Sequence, residues 1–586
     1  MKKYVAVLLA LAMIVGSMAG CTGGSNSSTQ DSSKADSSKS AEVSQDAESS
    51  QEEADHPWEL LDPIENTDGT LQVPRSNYVT YPISETGVEL EYWLCAASNI
   101  AKGVGETKDT EWAQVLQERT GVKIQWTTSV LGSDSESFGV MTSSGQLPDI
   151  VEWEWTTSYN GGPSAAESDG LITYLNDYIT EYGAAADLWQ FLQDNPHLDK
   201  EVKDDNGNYY AFPFVRGTKY LQCTSGPIVR TDLLESVGIK ADELVTIEDW
   251  HNALLAAKEI PGVEYPLICK NWGNLVSLMN NPFEFRPNMF LDYETGNIEF
   301  GYMTEGYKEF IQTLQQWLSE GLVDPDLLSN KTDDQTQAML TGTSVICYGA
   351  GGGDLGTYLS SVSADPSAYA EGISFQTINF PVKNAGDTVH YGGSSYDYAT
   401  TSKASAAITA DCKNPEVAAK LLNYNYSKEG HLFINYGQDV VIDSEGQAHY
   451  SDKTMDYAAN GFPSLATSMA NVGRANMSGP FAQDPNYIFE YYATDGQKAA
   501  LHTWNDYQES QSTLIPPITL TAEESSKYAS LINDINTYVE SSYGAWFALQ
   551  SKVEDDWDNY ISTLQGMGIQ DAIDIYQAAL NRYNAR

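Results

Sequence analysis

The 586-residue chain has few of the residue patterns that build metal, redox or hydrolase sites. Its seven histidines are scattered and form neither H-x-x-H nor H-E-x-x-H, which argues against a zinc hydrolase. Its six cysteines include no C-x-x-C pair, so neither a redox dithiol nor a zinc ribbon is indicated. No G-x-S-x-G motif is present, so the nucleophile elbow of an α/β-hydrolase is not predicted.

Positive charge is also scarce. The chain carries 32 Lys and Arg against 81 Asp and Glu, a formal net charge of −49. Such a balance excludes a nucleic-acid partner and electrostatic binding to anionic lipid, because both need basic surfaces. Aromatic residues, in contrast, are abundant, with 13 Trp and 36 Tyr. The composition favours a soluble, dispersed body that is rich in flat rings.

The chain begins with a secretory pattern. Two lysines precede an apolar run at residues 4–16, which is too short for the roughly 20 residues of a membrane span. The following "SMAGC" resembles a bacterial lipobox, which implies cleavage after residue 20 and acylation of Cys21, for example with palmitate. The alternative is an ordinary signal peptide with an incidental cysteine. We therefore expect a Gram-positive lipoprotein on the outer face of the cell membrane.

A tether is predicted to follow the lipidated cysteine. Residues 22–55 contain one branched apolar residue, Val43, and no aromatic residue, so they cannot bury enough surface to offset the entropy of ordering. We expect a tether over 21–57 with a reach of roughly 30 Å and order from Trp58 onward. The remainder is long enough for two lobes. Its five cysteines cannot all pair within the chain, and buried free thiols are expected.

Hydrophobic patterning predicts an α/β fold. Residues 88–97 and 147–155 are typical of strands, while 111–126 indicates a helix, a glycine stop and a strand. This βαβ order predicts a sheet with parallel strands. Apolar residues at helical spacing predict helices over 170–183 and 306–328, and over most of 522–583 with a break at 565–569.

Three local motifs suggest specific chemistry. Gly351, Gly353 and Gly356 satisfy G-x-G-x-x-G, but the motif lies mid-chain in an exported protein, and a tight turn is the favoured interpretation over a dinucleotide site. The cluster at residues 203–208 contains Asp, Asn and Gly, yet it lacks the ligand spacing of an EF-hand, so a plain turn is favoured over a calcium loop. We expect no cofactor. Glu152 and Glu154 could form a glycosidase pair, although polar roles in a pocket or on the surface are favoured.

Aromatic residues cluster where predicted strands end. In open α/β sheets the ligand crevice lies outside the carboxyl ends of the strands, and flat rings there suit the C–H faces of sugars. Carboxylates and guanidinium groups in the same loops suit sugar hydroxyls, and a guanidinium could also bind a uronate carboxylate; surface ion pairs are the alternative for the arginines. The predicted ligand-binding residues are Trp153, Trp155, Arg216, Trp272, Tyr348, Asp354, Tyr396, Asp397 and Arg474.

The order of several segments is similar to that of a known family. The lipobox is followed by "LPDIVEWEW", "NGNYYAFPF", "IVRTDLLESVGIK", "GTSVICYGAG" and "CKNPEVAAKLLNYNYSKEG". Together they resemble an extracellular solute-binding lipoprotein of a bacterial ABC importer, of the family 1 type that captures oligosaccharides. The resemblance covers most of residues 88–586.

The resemblance implies a periplasmic-binding-protein-like α/β fold, with two lobes joined by hinge strands around an interlobe cleft. The first lobe would comprise 58–218 plus about 382–437, and the second about 219–381 plus 438–586. A monomer that is not an enzyme would bind a carbohydrate and deliver it to ABC permease subunits. The alternatives are a surface-anchored glycan-degrading enzyme, the same fold with a peptide or other solute, and a sensory receptor.

Overall fold

The computed structural model describes residues 71, 74, 76–83, 87–217, 219–396, 398 and 405–586. The predicted signal peptide, Cys21, the tether and Asp397 lie outside the described residues. Twelve strands are present among these residues: β1 Glu89–Leu94, β2 Lys123–Thr128, β3 Ile150–Trp153, β4 Ser225–Arg230, β5 Leu267–Ile268, β6 Met289–Leu291, β7 Ile298–Phe300, β8 Ile346–Ala350, β9 Phe375–Thr377, β10 Ser405–Ile408, β11 Val441–Ile442 and β12 Ala448–His449.

Helices occupy much of the remaining described chain. In chain order they are α1 Ser98–Gly103, α2 Glu111–Thr120, α3 Asp134–Ser144, α4 Trp155–Ser158, α5 Gly162–Ser168, α6 Ala186–Asp194, α7 Pro196–Glu201, α8 Lys219–Gln222, α9 Thr231–Ser236, α10 Ile247–Lys258, α11 Trp272–Met279, α12 Glu305–Ser319, α13 Thr332–Thr341, α14 Gly356–Ala364, α15 Pro415–Asn423, α16 Lys428–Tyr436, α17 Asp452–Met455, α18 Leu465–Val472, α19 Tyr487–Tyr491, α20 Asp495–Asn505, α21 Ala522–Phe547, α22 Val553–Gly566 and α23 Ile569–Ala585. Within the described residues, none of these helices is long and apolar enough to cross a membrane.

The first lobe is built on a four-stranded sheet of order β10-β3-β1-β2. Strands β2, β1 and β3 run parallel, as the βαβ pattern predicts. Strand β10 pairs antiparallel with β3, and the paired residues Ser405 and Trp153 are 252 residues apart in the chain. All four residues of β3 are buried, including the charged Glu152.

The second lobe is built on a sheet of order β5-β8-β4-β9. Here β5 and β8 are parallel, while β4 runs antiparallel to both of its neighbours. The core of this lobe also takes in apolar residues of α21, α22 and α23. Each lobe therefore buries its own sheet, and the mixed α/β class predicted from the sequence is confirmed.

The lobes are connected where three distant segments meet at Val215. The Val215 N–H donates to the Phe481 carbonyl (3.0 Å), and the Gln483 N–H donates to the Val215 carbonyl (2.8 Å). Tyr398 pairs with the other edge of Val215. We call these three paired segments the hinge.

The stretch between β12 and the hinge contacts the first lobe. Helix α18 packs against α1 and α2, and the Thr467 side chain lies so close to Gly103 that a Cβ there would be 2.4 Å away. The sequence assigned this stretch to the second lobe, with a boundary near residue 438. These contacts favour a boundary near the hinge residue Ala482 instead, and the lobe boundaries otherwise stay predictions.

The helix predicted over 170–183 is wrong. This segment is a series of turns whose backbone groups pair with distant residues: Ile172 with Thr409, and the Leu175 N–H with the Tyr209 carbonyl at 2.8 Å. Its apolar residues are still buried. The spacing of the apolar residues reflects their burial. The backbone groups, however, form hydrogen bonds with segments that are distant in sequence and do not form helical turns.

The other long helices agree with the patterning. Helix α12 buries Tyr307, Phe310 and Leu314 as expected, and the predicted break at 565–569 separates α22 from α23. A second break, which the sequence did not indicate, separates α21 from α22. Leu549 there adopts a φ of 54°, a left-handed conformation that is uncommon for a leucine.

The glycine-rich motif forms a tight π-helical turn, Gly351–Leu355, between β8 and α14. A Cβ on Gly351 would lie 2.9–3.1 Å from the buried ring of Tyr492, whereas a Cβ on Gly353 would meet only Ala350, at 3.8 Å. The motif is therefore a tight turn, as predicted, and it lies against another segment of the chain.

We expect Gly351→Ala to lower the free energy of unfolding by about 1–3 kcal/mol, because the new methyl group overpacks against Tyr492. Gly353→Ala is the matched control within the same motif, and its effect should stay within about 0.5 kcal/mol. Urea unfolding followed by circular dichroism measures both. Equal losses for the two variants would contradict the contact with Tyr492 as the reason for glycine here.

Candidate functional site

A cavity of about 570 Å³ opens where β1 and β3 end. We call it the β1 cavity. It follows the carboxyl ends of two parallel strands, where ligands bind in open α/β sheets. Its walls come from the end of β1 and the start of α1, from the hinge, and from the loop after α18; they are Leu94, Cys95, Ala96, Ala97, Ser98, Asn99, Ile100, Trp112, Asp134, Glu152, Arg216, Arg474, Asn476, Met477, Ser478, Gln483 and Tyr487.

A buried ion pair forms the back of the cavity. The Arg474 Nη1 and Nη2 atoms donate to the two carboxylate oxygens of Glu152 at 3.0 and 2.6 Å, and the Tyr92 hydroxyl donates to the same carboxylate at 2.8 Å. The guanidinium carbon lies 5.1 Å from the centre of the Trp112 ring. Burial alone would lower the pKa of Arg474, but the charge of Glu152 and the hydrogen bonds to it outweigh burial and raise it. Arg474 therefore stays charged.

Four buried polar atoms in the walls have no hydrogen-bond partner among the described residues. They are the donors Trp112 Nε1 and Arg474 Nε, and the acceptors Asn476 Oδ1 and Gln483 Oε1. The amide nitrogens of Asn476 and Gln483 each donate to a backbone carbonyl at 2.7 Å, which fixes the orientation of both acceptors. Unpaired buried polar groups are rare in native proteins, and these four belong to residues that line one cavity.

Arg216 supplies the uncompensated charge of the cavity. Its Nη1 atom donates to the Leu221 carbonyl at 3.2 Å, and its guanidinium lies 5.9 Å from the Phe214 ring. No carboxylate of the described residues forms an ion pair with it. A half-buried guanidinium with unused donors can bind oxygen atoms of a ligand.

The two tryptophans of β3 and α4 are in the core instead. Trp153 and Trp155 are each about 1% exposed. Trp153 stacks on Phe138 at 5.4 Å, and the Trp155 indole donates to the Val151 carbonyl. In this conformation neither ring reaches the β1 cavity. An aromatic ring at the end of a strand can pack in the core or face a ligand, and the strand-end position alone does not distinguish the two.

The predicted residues of the second lobe, and Tyr396 of the segment that enters the hinge, are also packed against the protein. Trp272 stacks on Tyr543 with ring centres 4.2 Å apart, and Asp354 forms an ion pair with Lys270 at 2.6 Å. Burial raises the pKa of Tyr348. The Tyr396 hydroxyl donates to the Leu514 carbonyl at 3.0 Å. None of these residues lines the β1 cavity, which holds only Arg216 and Arg474 of the predicted set.

The sequence analysis missed Trp112, Asn476, Gln483 and Tyr487. Three of them belong to one stretch, residues 474–487, whose Arg, Asn, Gln and Tyr side chains are typical of a binding loop. The fourth, Trp112, occupies an ordinary helical core position. Nothing in the local pattern indicates that its indole lies beside a cavity.

Two alternative chemistries fit the geometry poorly. Both carboxylate oxygens of Glu152 are held by Arg474, which suits a fixed charge and not proton transfer in a glycosidase. At the turn of 203–208, Asp204 accepts hydrogen bonds from Ser164, Tyr174, Asn206 and Asn208 at 2.9–3.3 Å. These donors occupy the lone pairs that a calcium ion would need.

Comparisons with known proteins agree with this geometry. A sequence profile described as bacterial extracellular solute-binding protein matches residues 104–431, more than half of the chain. The chain belongs to this family. It is also 21% identical over 502 residues to the fructooligosaccharide ABC transporter substrate-binding protein FusA of Streptococcus pneumoniae, covering 80% of this chain and 87% of FusA.

Solved structures share the fold. The alginate-binding protein AlgQ2 without calcium ion superimposes with a TM-score of 0.64 at 20% identity. A solute-binding protein from Bifidobacterium longum infantis, described as binding HMO, gives 0.65 at 16% identity. Each match covers 85% of this chain and 99% of the other. These likenesses establish the two-lobe α/β fold.

Breaking the ion pair behind the cavity should destabilise the protein strongly. We expect Glu152→Leu to cost about 3–5 kcal/mol of unfolding free energy, because it leaves the Arg474 charge buried without a partner. Chemical denaturation of the single variants and of Glu152→Leu/Arg474→Met measures the coupling.

The double variant is the control, since it removes both charges and should recover much of the loss. If its destabilisation equals the sum of the two single losses, the residues are not coupled and our description of the cavity wall is incorrect.

Proposed function

We propose that the protein captures an oligosaccharide in the β1 cavity and delivers it to an ABC importer. One observation carries this proposal: four buried donors and acceptors without partners lie in the walls of one cavity, beside an indole ring and a half-buried guanidinium. Sugars offer hydroxyls that both donate and accept, together with apolar C–H faces. FusA, a relative, is a fructooligosaccharide transport protein, which supports the same class of ligand.

The proposed mechanism is a shift in the population of lobe arrangements. Contacts that a ligand makes with both lobes exist only when the lobes close over it, so ligand binding favours the closed state. Trp272, Tyr348 and Asp354 remain candidates for second-lobe contacts in that state, and Tyr396 and Asp397 remain candidates for contacts from the segment that enters the hinge. The permease subunits would then recognise the closed form, and no chemical step on the sugar is needed.

We further propose that the protein is a lipoprotein on the outer membrane face. The lipobox-like "SMAGC" supports acylation of Cys21, and the extracellular character of the family supports this location. Lipid chains on one residue would hold the protein at the surface, and the tether would let it reach a transporter. We propose that it acts as a monomer.

Oligosaccharide binding should raise the melting temperature and quench tryptophan fluorescence, since Trp112 lines the cavity. A ligand at 100 times its Kd stabilises the folded state by about 2.7 kcal/mol. Thermal shift across a panel that includes kestose, nystose, uronate oligosaccharides and peptides, followed by calorimetric titration, tests this. A shift with peptides alone would contradict the assignment to sugars.

Asn476→Ala should weaken the binding of the identified ligand by roughly 3- to 10-fold, the effect of one lost hydrogen bond. Asn559→Ala, at an exposed position of α22, removes the same group away from the cavity and should leave the Kd unchanged. Calorimetry on both variants gives the comparison. If Asn476→Ala and Asn559→Ala bind the ligand with equal affinity, the β1 cavity is not the binding site.

Acylation should be lost in Cys21→Ala. Cells fed labelled palmitate should incorporate it into the wild-type protein and into Cys95→Ser, the control for another thiol outside the core, but not into Cys21→Ala. The unacylated protein should also appear in the medium. Label retained by Cys21→Ala would exclude this residue as the anchor.

A further inference from the structure

A set of ion pairs joins the end of the last helix to a turn of the first lobe. The Arg582 Nε atom donates to Asp205 Oδ2 at 2.6 Å, and the Arg586 Nη2 atom donates to Asp205 Oδ1 at 2.7 Å. One carboxylate is therefore held by two arginines that lie 377 and 381 residues away in the chain. We call the contacts of Arg582 and Arg586 with this turn the clasp.

Arg586 extends the clasp to helix α7. Its Nη1 atom donates to the carbonyls of Lys203 at 2.6 Å and Lys200 at 3.3 Å, which are unpaired carbonyls at and beyond the end of α7. The Lys200 ammonium lies 4.4 Å from the centre of the Tyr583 ring. The Arg586 side chain is only 5% exposed, so these bonds are made largely out of water.

The two sides of the clasp belong to different lobes. Leu198 and Val202, which flank the α7 end, are part of the first-lobe core. Helix α23 packs instead on α21 and β7 of the second lobe. From that side, Glu524 of α21 holds Arg582 with two hydrogen bonds, at 2.6 and 2.8 Å. Arg582 thus forms ion pairs with one carboxylate from each lobe.

The clasp is formed while the β1 cavity is open to the second lobe. Within the described chain, the cavity walls come from the first lobe, the hinge, and the segments on either side of Ala482. No residue of the second-lobe sheet, and none of α9–α14 or α20–α23, takes part. Tyr487 of α19 lies beyond Ala482 in the chain, but it packs with Leu432 of α16 and Met469 of α18 and is not part of the core around the second-lobe sheet. The arrangement in which the clasp exists is therefore one in which the second-lobe sheet and the helices α9–α14 and α20–α23 do not cover the cavity.

We propose that the clasp holds the two lobes in the open arrangement and opposes closure until a ligand is bound. Closure rotates one lobe against the other about the hinge, and a side-chain contact stretched to about 3.6 Å is no longer a hydrogen bond. The open state therefore gains a set of bonds that the closed state must rearrange. The apparent affinity for a ligand falls with the fraction of protein able to close, so the clasp sets that affinity from outside the cavity.

The decisive experiment measures the lobe separation without any ligand. Spin labels are placed at Val140→Cys on α3 and Leu255→Cys on α10, both exposed, in the full chain with Cys21→Ala and Cys95→Ser. We expect Asp205→Asn and Arg586→Ala to add a population at shorter distance by pulsed electron resonance. Asp571→Asn is the matched control: it removes the same charge from α23, where Asp571 pairs with Lys527 of α21 inside the second lobe, and should leave the distances unchanged.

Two variants keep the test decisive. If Asp205→Asn does not fold, Arg586→Ala carries the measurement, because Arg586 lies beyond the last residue of α23 and its replacement leaves the helix intact. Distances equal to those of the wild type, or longer, in a folded clasp variant would overturn the proposal. So would an equal change in Asp571→Asn.

A second measurement depends on the proposed function and separates the two ideas. With native Cys95 and kestose as the probe, Asp205→Asn should bind on the order of fivefold more tightly than the wild type, and Asp571→Asn should not differ. Unchanged or weaker binding would contradict the clasp as a brake on closure. If kestose does not bind to the wild type but the distances change as expected, the proposed role of the clasp is supported and kestose is rejected as the ligand.

Discussion

The backbone pairing at Val215 is the constraint on which the rest of the molecule depends. Each lobe has its own sheet and core, and the chain joins them where three segments lie side by side. Val215 is bonded on one edge to Phe481 and Gln483 and is paired on the other with Tyr398. Because the segments share hydrogen bonds, they can bend together but cannot slide independently. Motion of the lobes is thereby limited to a hinge.

The same pairing places the binding groups. In the parallel register of Val215 with Ala482, the next residues along the two segments are Arg216 and Gln483, and both line the β1 cavity. The cavity is therefore built partly from the hinge itself. A ligand that bonds to these side chains contacts the part of the backbone that bends when the lobes close, so binding and closure share the same residues.

Local patterning was sufficient for the class of fold and for most helices, because amphipathic spacing and turn residues act over a few neighbours. It failed over 170–183, where Leu175 bonds to Tyr209 instead of continuing a helix. It also placed Trp153 at a ligand surface, although the ring stacks on Phe138 in the core. In each case the deciding partner is distant or lies on another element. A strand-end position predicts proximity to a cleft, but it does not decide which face of the strand a ring occupies.

The site itself depended on pairings that no local pattern contains. Glu152 and Arg474 are 322 residues apart, and they meet only because β3 and the loop after α18 converge. The sequence allowed Arg474 to be predicted as a ligand-binding residue from its guanidinium group. Its partner could not be predicted, because acidic residues outnumber basic ones by 81 to 32. Charge alone leaves each arginine with many equivalent candidates.

That imbalance gives four of the arginines a common role. Arg119 pairs with Glu429, Arg474 with Glu152, and Arg582 and Arg586 with Asp205, over separations of 310 to 381 residues. In a chain this acidic, most carboxylates repel one another and remain in water, and a planar guanidinium is the group best able to hold one in a fixed geometry. These four arginines therefore join segments that the sheets do not connect, whereas Arg230 pairs with Asp232 two residues away. Arg216 differs from these four: it lines the cavity and has no carboxylate partner among the described residues. Its guanidinium is therefore available to a ligand.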